Sequence, residues 1–412
     1  MGSISDFSSR VESRLQELVS KSQVLDVKVA DERRQLFDLA QSLCSELETP
    51  MESIYRLIVI QVSCWTPRLA ILALSCNPSR FSTYGSTPKT VKQLAAAVGA
   101  DETLLGRILK NMAASDLIHE TTPGTYEHTS LSTSLLNLSH RDGFFFCHDI
   151  MLPSFTATPQ FLAETKYTNP SNITSTPFQL GHHTKLTFFE YLAKHPEQAQ
   201  QFNNFMGLYA TDRPRWLDEG HFPVREILGK GASTDEDAVL LVDVGGGKGH
   251  DLVLFQKRYG DLPGRMILQD MPSVIEQAGQ LSEGLEATAH DFFKENPIKG
   301  ARAYYFHSVL HGWPDAACVN ILKAVAASMK RGYSKVLINE IVIPDEKAHR
   351  LGTSMDLLMM TVVAAEERTE HKWRYLLPLA GLKLVKIWKF EIGTESLIEA
   401  ELADEVTVVV DE

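Results

Sequence analysis

Residues 240–251 read LLVDVGGGKGHD: an apolar run, three consecutive glycines, and the first residues of a helical pattern. LLVDV has the length and composition of a strand buried on both faces. Three glycines in a row let the backbone turn sharply and leave no Cβ between it and a ligand. Gly245, Gly246 and Gly247 are therefore candidate cofactor-binding positions. The next strand pattern, RMILQD, ends on Asp270, about 20 residues beyond the glycines, where a carboxylate can accept from both hydroxyls of a ribose. Strand, glycines, helix, strand and terminal acid, in this order, predict a nucleotide-type site on an α/β sheet.

The first helical turn narrows the ligand. Dinucleotide sites carry GxGxxG and aim a helix N-terminus at pyrophosphate. Here Gly245, Gly247 and Gly249 alternate, and His250 and Asp251 follow in the first helical turn. That carboxylate would repel a phosphate but not a cation. S-adenosylmethionine carries a sulfonium and an amine and no phosphate, so the pattern favours it over NAD. Further on, Asp291 in HDFFKENP can accept from an adenine amino group while Phe292 covers the ring. Taken singly, Asp291 reads as a turn aspartate.

From residue 238 the chain alternates. RMILQD, RAYYFHSVL and SKVLINEIVIP read as strands between the helical runs LVLFQKRYG, PSVIEQAG and DAACVNILKAVAASMKRG. Asp315 is expected to cap the last of these helices. The alternation predicts a parallel sheet with helices on both faces, and LKLVKIWKF and SLIEAELA read as closing strands. Residues 7–76 are helical in pattern, and SIYRLIVIQVSCWTPRLAILAL is apolar nearly all round, so it needs a covering surface. Residues 87–132 read helix, glycine turn, helix and two short polar strands, a winged helix-turn-helix pattern. Residues 153–182 are rich in loop signals. The expected division is 1–137 (helices and winged helix), 138–185 (connector) and 186–412 (α/β domain).

Charge and cysteine usage exclude other classes. The net charge is −12, and within 87–132 Lys89, Lys92, Arg107 and Lys110 are outnumbered by Asp101, Glu102, Asp116, Glu120 and Glu127. A DNA reader would be basic there, so the segment reads as a structural or dimerisation module and no nucleic-acid partner is expected. The 5 cysteines form no CxxC pair, which fits a reducing compartment and no metal. The polar N-terminus lacks a signal-like apolar stretch, and the apolar run at 68–76 is too short for a bilayer. A cytoplasmic protein without membrane contact is expected.

LVDVGGGKGHD, LQDMPSVIE, HDFF, LHGWPD, INEIVIP and EERTEHKW, together with the N-terminal helices and winged-helix pattern, resemble a known family. It is the class I S-adenosylmethionine-dependent O-methyltransferases of plants and fungi, the caffeic acid O-methyltransferase type. The resemblance implies a Rossmann-like cofactor domain with an N-terminal all-helical and winged-helix dimerisation domain, interlocked in a homodimer. It places the ribose acid on Asp270, the adenine pair on Asp291 and Phe292, and the glycine loop on Gly245, Gly246 and Gly247. The catalytic base falls on His311, with Glu340 and Glu367 as the carboxylates that hold and polarise it, and Met206 lines the substrate. Two positions depart from the pattern. His307 stands where a lysine or arginine near the cofactor is usual, and Gly312 stands where HDW has aspartate.

The implied reaction is methylation of a phenolic or enolic hydroxyl on an aromatic or polyketide-like natural-product intermediate. A phenol has a pKa of about 10, and a histidine with pKa near 7 can take its proton as the oxygen attacks the sulfonium methyl. Without the resemblance, Glu340 reads as a strand-end acid and Glu367 as part of a solvated run with Glu366, Arg368 and Glu370. The Gly312 departure keeps open a second expectation: an enzyme that binds S-adenosylmethionine without consuming it and catalyses a pericyclic, dehydration or decarboxylation step.

Overall fold

The computed structural model describes residues 4–26, 29–55, 87–209, 215–279, 281–391 and 393–404. The chain forms two compact units, 1–145 and 146–412. Most of the apolar segment SIYRLIVIQVSCWTPRLAILAL, from residue 56 onward, lies outside the described residues.

In the first unit, α1 (Ile4–Val24) packs on α2 (Ala30–Leu47). A second group comprises α3 (Val91–Val98), α4 (Glu102–Ala114) and a three-stranded sheet of β1 (Lys89–Thr90), β2 (Ile118–Thr122) and β3 (Thr125–His128), ordered β1-β3-β2. Local sequence sets these boundaries. Thr90 and Gln93 close a capping box on α3, Gly99 ends it at φ 69°, and the Asp101 side chain caps α4. Leu94, Leu105, Leu109, Met112, Ile118 and Tyr126 bury the inner faces. Leu15 and Val19, four residues apart on α1, stay exposed.

The second unit is built on a seven-stranded sheet. Its strands are β4 (Val239–Val244), β5 (Arg265–Asp270), β6 (Leu285–Ala289), β7 (Ala303–His307), β8 (Lys335–Ile341), β9 (Leu382–Lys389) and β10 (Glu395–Leu402), ordered β6-β5-β4-β7-β8-β10-β9. Strands β4 to β8 pair in parallel, whereas β10 runs antiparallel to both β8 and β9. Side chains alternate across the sheet as strand geometry requires. On β7, Tyr304 and Phe306 join one core with Val242, Ile338 and Trp373; Tyr305 joins the other with Leu241, Leu337 and Phe255. The strand order reverses between β4 and β7. At such a switch point two loops diverge from the carboxyl edge and leave a crevice for a ligand.

Five helices of this unit matter below: α5 (Leu152–Glu164), α6 (Pro177–Gly181), α7 (Pro196–Tyr209), α8 (His250–Tyr259) and α9 (Asp315–Ala326). Two of the expectations need correction. The loop-rich stretch 153–182 contains α5 and α6. Pro177 sits in a first turn, where a missing N–H costs nothing, and Thr176 and Gln179 form a capping box, whereas Pro153 follows the π-helical turn Cys147–Met151 in one unbroken helical run. Asp315 does not cap the helix that follows it. It is the first residue of α9 and pairs with two cations, Arg368 and Lys372.

Candidate active site

The glycine loop leaves β4 and enters α8. Gly245, Gly247 and Gly249 have φ of 75°, 59° and 76°, a region that side chains rarely adopt. The amides of Gly245 and Gly246 both donate to the Gln269 carbonyl on β5, and Gly247 N–H donates to Asp270 Oδ2 at 2.9 Å. The other Asp270 oxygen accepts from Met271 N–H at 2.7 Å. Burial pushes the Asp270 carboxyl above its ordinary range, and these two amides hold it back. A Cβ on Gly246 would collide with the Asp243 carboxylate, and one on Gly245 would meet Val309 at 2.9 Å and Phe292 at 3.7 Å. A Cβ on Gly247 would meet nothing within 4 Å. A bare backbone, open at Gly247 and rimmed by Asp270 and Phe292, fits the S-adenosylmethionine read from the sequence.

Asp291 lies beyond β6. In this structure it accepts from Phe293 N–H at 3.1 Å and faces Lys294 at 3.7 Å, the turn role open to a lone aspartate. Phe292 meets Trp313 edge-on, with ring centroids 5.9 Å apart. Trp313 also takes Phe293 edge-on at 4.9 Å and stacks with Phe189 at 6.3 Å. Nothing in the sequence pattern singles out Phe189. Met206 is half-buried on α7.

Leaving β7, the chain passes through Ser308, held at φ 51°, into a single 3-10 turn, Leu310–Gly312, that carries His311. Glu367 Oε1 lies 2.7 Å from His311 Nδ1. The carboxylate accepts, so Nδ1 carries hydrogen and Nε2 is the basic nitrogen of the neutral ring. Burial works against the imidazolium, but Glu367, aided by Glu340, outweighs it and pushes His311 up to about 9. The expectation of a pKa near 7 is corrected accordingly: the two buried acids favour the charged ring.

Glu340 holds His311 by its main chain. Its Oε1 accepts from the amides of Leu310 at 2.6 Å and His311 at 3.0 Å, so it grips the backbone of the turn and not the ring. Burial pushes the Glu340 carboxyl up, opposed by the facing charges of His311 and Arg368. Arg368 completes the turn from the other side. Its guanidinium, fully buried, donates to the carbonyls of Leu310 at 3.0 Å and Trp313 at 2.7 Å and to Asp315 at 3.0 Å. The carboxylate therefore accepts from the amides and the guanidinium donates to the carbonyls. In the sequence Arg368 reads as one charge of a run, and only its neighbour Glu367 is marked. A cation followed by threonine at a helix cap gives no sign of being buried.

His307 at the end of β7 has both ring nitrogens engaged: Nδ1 with Asp251 Oδ2 at 2.5 Å and Nε2 with Glu395 Oε2 at 3.0 Å. It offers a ligand no free nitrogen. The sequence marks Asp251 by its charge, whereas Asp243 and Glu395 carry no signal there. Gly312, beside the base, has nothing within 4 Å of where a Cβ would stand.

Residues 226–383 match the family described as "O-methyltransferase domain". O-methyltransferase mpaG of Penicillium brevicompactum is 37% identical over 398 residues, spanning 95% of this chain and 98% of its own length. Among solved structures, LepI in complex with SAM aligns over 96% of this chain and 100% of its own, at TM-score 0.82 and 26% identity. A protein described as a pericyclic reaction enzyme likewise aligns over 96% and 100%, at TM-score 0.82 and 26% identity. OxaC in complex with sinefungin and meleagrin aligns over 95% and 99%, at TM-score 0.81 and 26% identity. With relatives this similar over nearly their whole length, and with its glycine loop and His311 at adjacent strand ends, the chain belongs to the class I S-adenosylmethionine-dependent O-methyltransferases.

Proposed function

We propose that the protein methylates a phenolic or enolic hydroxyl of an aromatic or polyketide-like natural-product intermediate, with His311 as general base. The observation that carries this reading is the 2.7 Å contact between His311 Nδ1 and Glu367, which leaves Nε2 to take a proton. When bound, S-adenosylmethionine supplies an electrophilic methyl group. His311 Nε2 accepts the hydroxyl proton, and Glu367 fixes the tautomer and stabilises the imidazolium that forms, a division of labour worth ~10²–10⁴ in rate. Glu340 and Arg368 keep the turn in place. Gly245, Gly246, Gly247, Asp270, Asp291 and Phe292 hold the cofactor in this reading, and Met206 lines the substrate. Incubation with methyl-labelled cofactor and a panel of phenols and enols tests it. Label and S-adenosylhomocysteine should appear in equal amounts, and both should form ~10²–10⁴ times more slowly with His311→Ala.

A second reading rests on a specific observation, the likeness to a pericyclic reaction enzyme over nearly the whole chain. In it the cofactor is bound but not consumed. Product formed from the true substrate without S-adenosylhomocysteine would establish that reading and overturn the first.

For the rest of the chain we infer a homodimer formed through the N-terminal domain, 1–137, with its winged helix as a structural module, and a cytoplasmic location. The exposed Leu15 and Val19 on α1 support a covered face there. Among the described residues no helix is long and apolar enough to cross a membrane.

A further inference from the structure

His307 lies in a buried chain of polar side chains that crosses the carboxyl edge of the sheet. Asp251, in the first turn of α8, follows the glycine loop directly, and its Oδ2 meets His307 Nδ1 and also accepts from Tyr305 Oη at 3.2 Å. On the far side, Glu395 Oε2 at the start of β10 meets His307 Nε2 and accepts from Asn339 Nδ2 at 3.0 Å. The order is therefore α8, β7, β10, with β8 bracing the outer carboxylate. Asp243 lies against the loop from below, buried, with neither oxygen hydrogen-bonded among the described residues.

The charges explain why a cation is needed here. Asp243, Asp251, Asp270 and Glu395 are four carboxyls around one end of the sheet, faced by Tyr305, Asn339 and, at longer range, Arg215. Burial and the neighbouring Asp251 push Asp243 well above its ordinary value. Burial of His307 disfavours its charge, but Asp251 and Glu395 outweigh that and raise it well above the ordinary histidine value. An imidazolium between them offsets the repulsion of Asp251 and Glu395, which is strong in a poorly solvated site. Asp251 is anchored to the turn that carries Gly249, so its displacement moves the loop.

We propose that His307 is a positioning residue for the cofactor, acting through Asp251: the bridge Asp251–His307–Glu395 holds the first turn of α8, and with it the glycine loop, in the conformation that binds S-adenosylmethionine. Glu395 is the outer support of that bridge. It reaches the cofactor loop through His307. The inference rests on the reading that the loop of Gly245–Gly247 and Asp270 is the cofactor site.

The experiment is calorimetric titration of the purified full-length chain with S-adenosylhomocysteine between pH 6 and 8. The parent should bind with little pH dependence, because both carboxylates keep His307 charged. His307→Gln should bind at least about tenfold more weakly, the cost of a lost charged hydrogen bond. His307→Lys, which restores the cation, should recover most of that loss. Glu395→Gln, an isosteric change, should weaken binding and add a fall in affinity as pH rises, since His307 then has one carboxylate and loses its proton within the window. A purely structural role for Glu395 would lower the melting temperature but leave that pH profile flat. If His307→Gln does not fold, the Glu395→Gln profile decides alone: a flat profile at parent affinity overturns the bridge. Asp270→Ala separates the two readings. Loss of binding there with parent-like binding in Glu395→Gln refutes the bridge and leaves the loop as the site. Parent-like binding in both refutes the site itself.

Discussion

Glu340 reaches His311 through the main chain: its Oε1 accepts the His311 amide at 3.0 Å, while the imidazole is left to Glu367. The two acids therefore divide the work unevenly. Glu340 fixes the turn and adds to the negative charge near the ring, whereas Glu367 contacts the ring and is the larger influence on its protonation.

The pH dependence follows from that division. A general base must be neutral, and His311 is pushed up to about 9, so activity should rise with pH through that value. With the proposed assignment, log kcat/KM climbs with unit slope between about pH 6 and 9. Glu367→Gln removes the charge that stabilises the imidazolium, so the apparent pKa should move down toward the ordinary histidine range. A profile flat from about pH 6 to 9 and unchanged in the variant would exclude His311 as the base.

Replacement of the base should act on chemistry and spare the cofactor site. His311→Ala is expected to lower kcat by ~10²–10⁴, with S-adenosylhomocysteine affinity unchanged within twofold by calorimetry. Equal losses in both would mean that the turn itself had collapsed.

Arg368 should matter more to stability than an exposed charge would. Its removal takes a charged donor from each of two buried carbonyls and one of the two facing cations from Glu340. Arg368→Met should cost about 3 kcal/mol in urea unfolding, the scale for breaking a buried ion pair. A change under about 0.5 kcal/mol, the range of ordinary surface substitutions, would show the site to be far wetter than its burial indicates.

Gly312 should accept a side chain without penalty to the fold. A Cβ there meets nothing within 4 Å, so Gly312→Asp should leave the melting temperature within about 2 °C. A transferase should stay active and shift its preference among substrates with additional hydroxyls. A strongly destabilised variant would mean that the space is filled in solution.

The homodimer is checked by sedimentation at micromolar concentration, which should give about twice the 46.0 kDa chain mass. A folded species at the mass of a single chain would refute it.

Much of the second unit is legible in the sequence because its signals are local. The glycines after LLVDV require left-handed backbone, the acid ending RMILQD lies at a strand terminus, and the alternation of runs gives a parallel sheet without any knowledge of packing. What escapes the sequence is non-local. Nothing in SLIEAELA indicates that the glutamate just before it, Glu395, meets a histidine 88 positions earlier. Nor does EERTE show that its arginine is buried beneath the turn it serves. Proline misleads in the other direction: Pro153, Pro159 and Pro177 suggest loop across a stretch where one stands in a first turn and two are carried within a helical run.

The sheet closes out of sequence order. β10, which follows β9 in the chain, does not lie at the edge; it slots between β8 and β9, pairing Glu395–Ala400 with Val336–Ile341. A chain interrupted before residue 395, by a stop codon or a protease, would keep every residue assigned to touch substrate or cofactor, losing the outer support Glu395, and would leave VLINEI with an open, apolar flank. Such edges recruit strands from other chains. Truncated copies of this protein should therefore be found in aggregates and cleared by quality control, and genetic tags or fusions belong after β10, never within the β9–β10 connection.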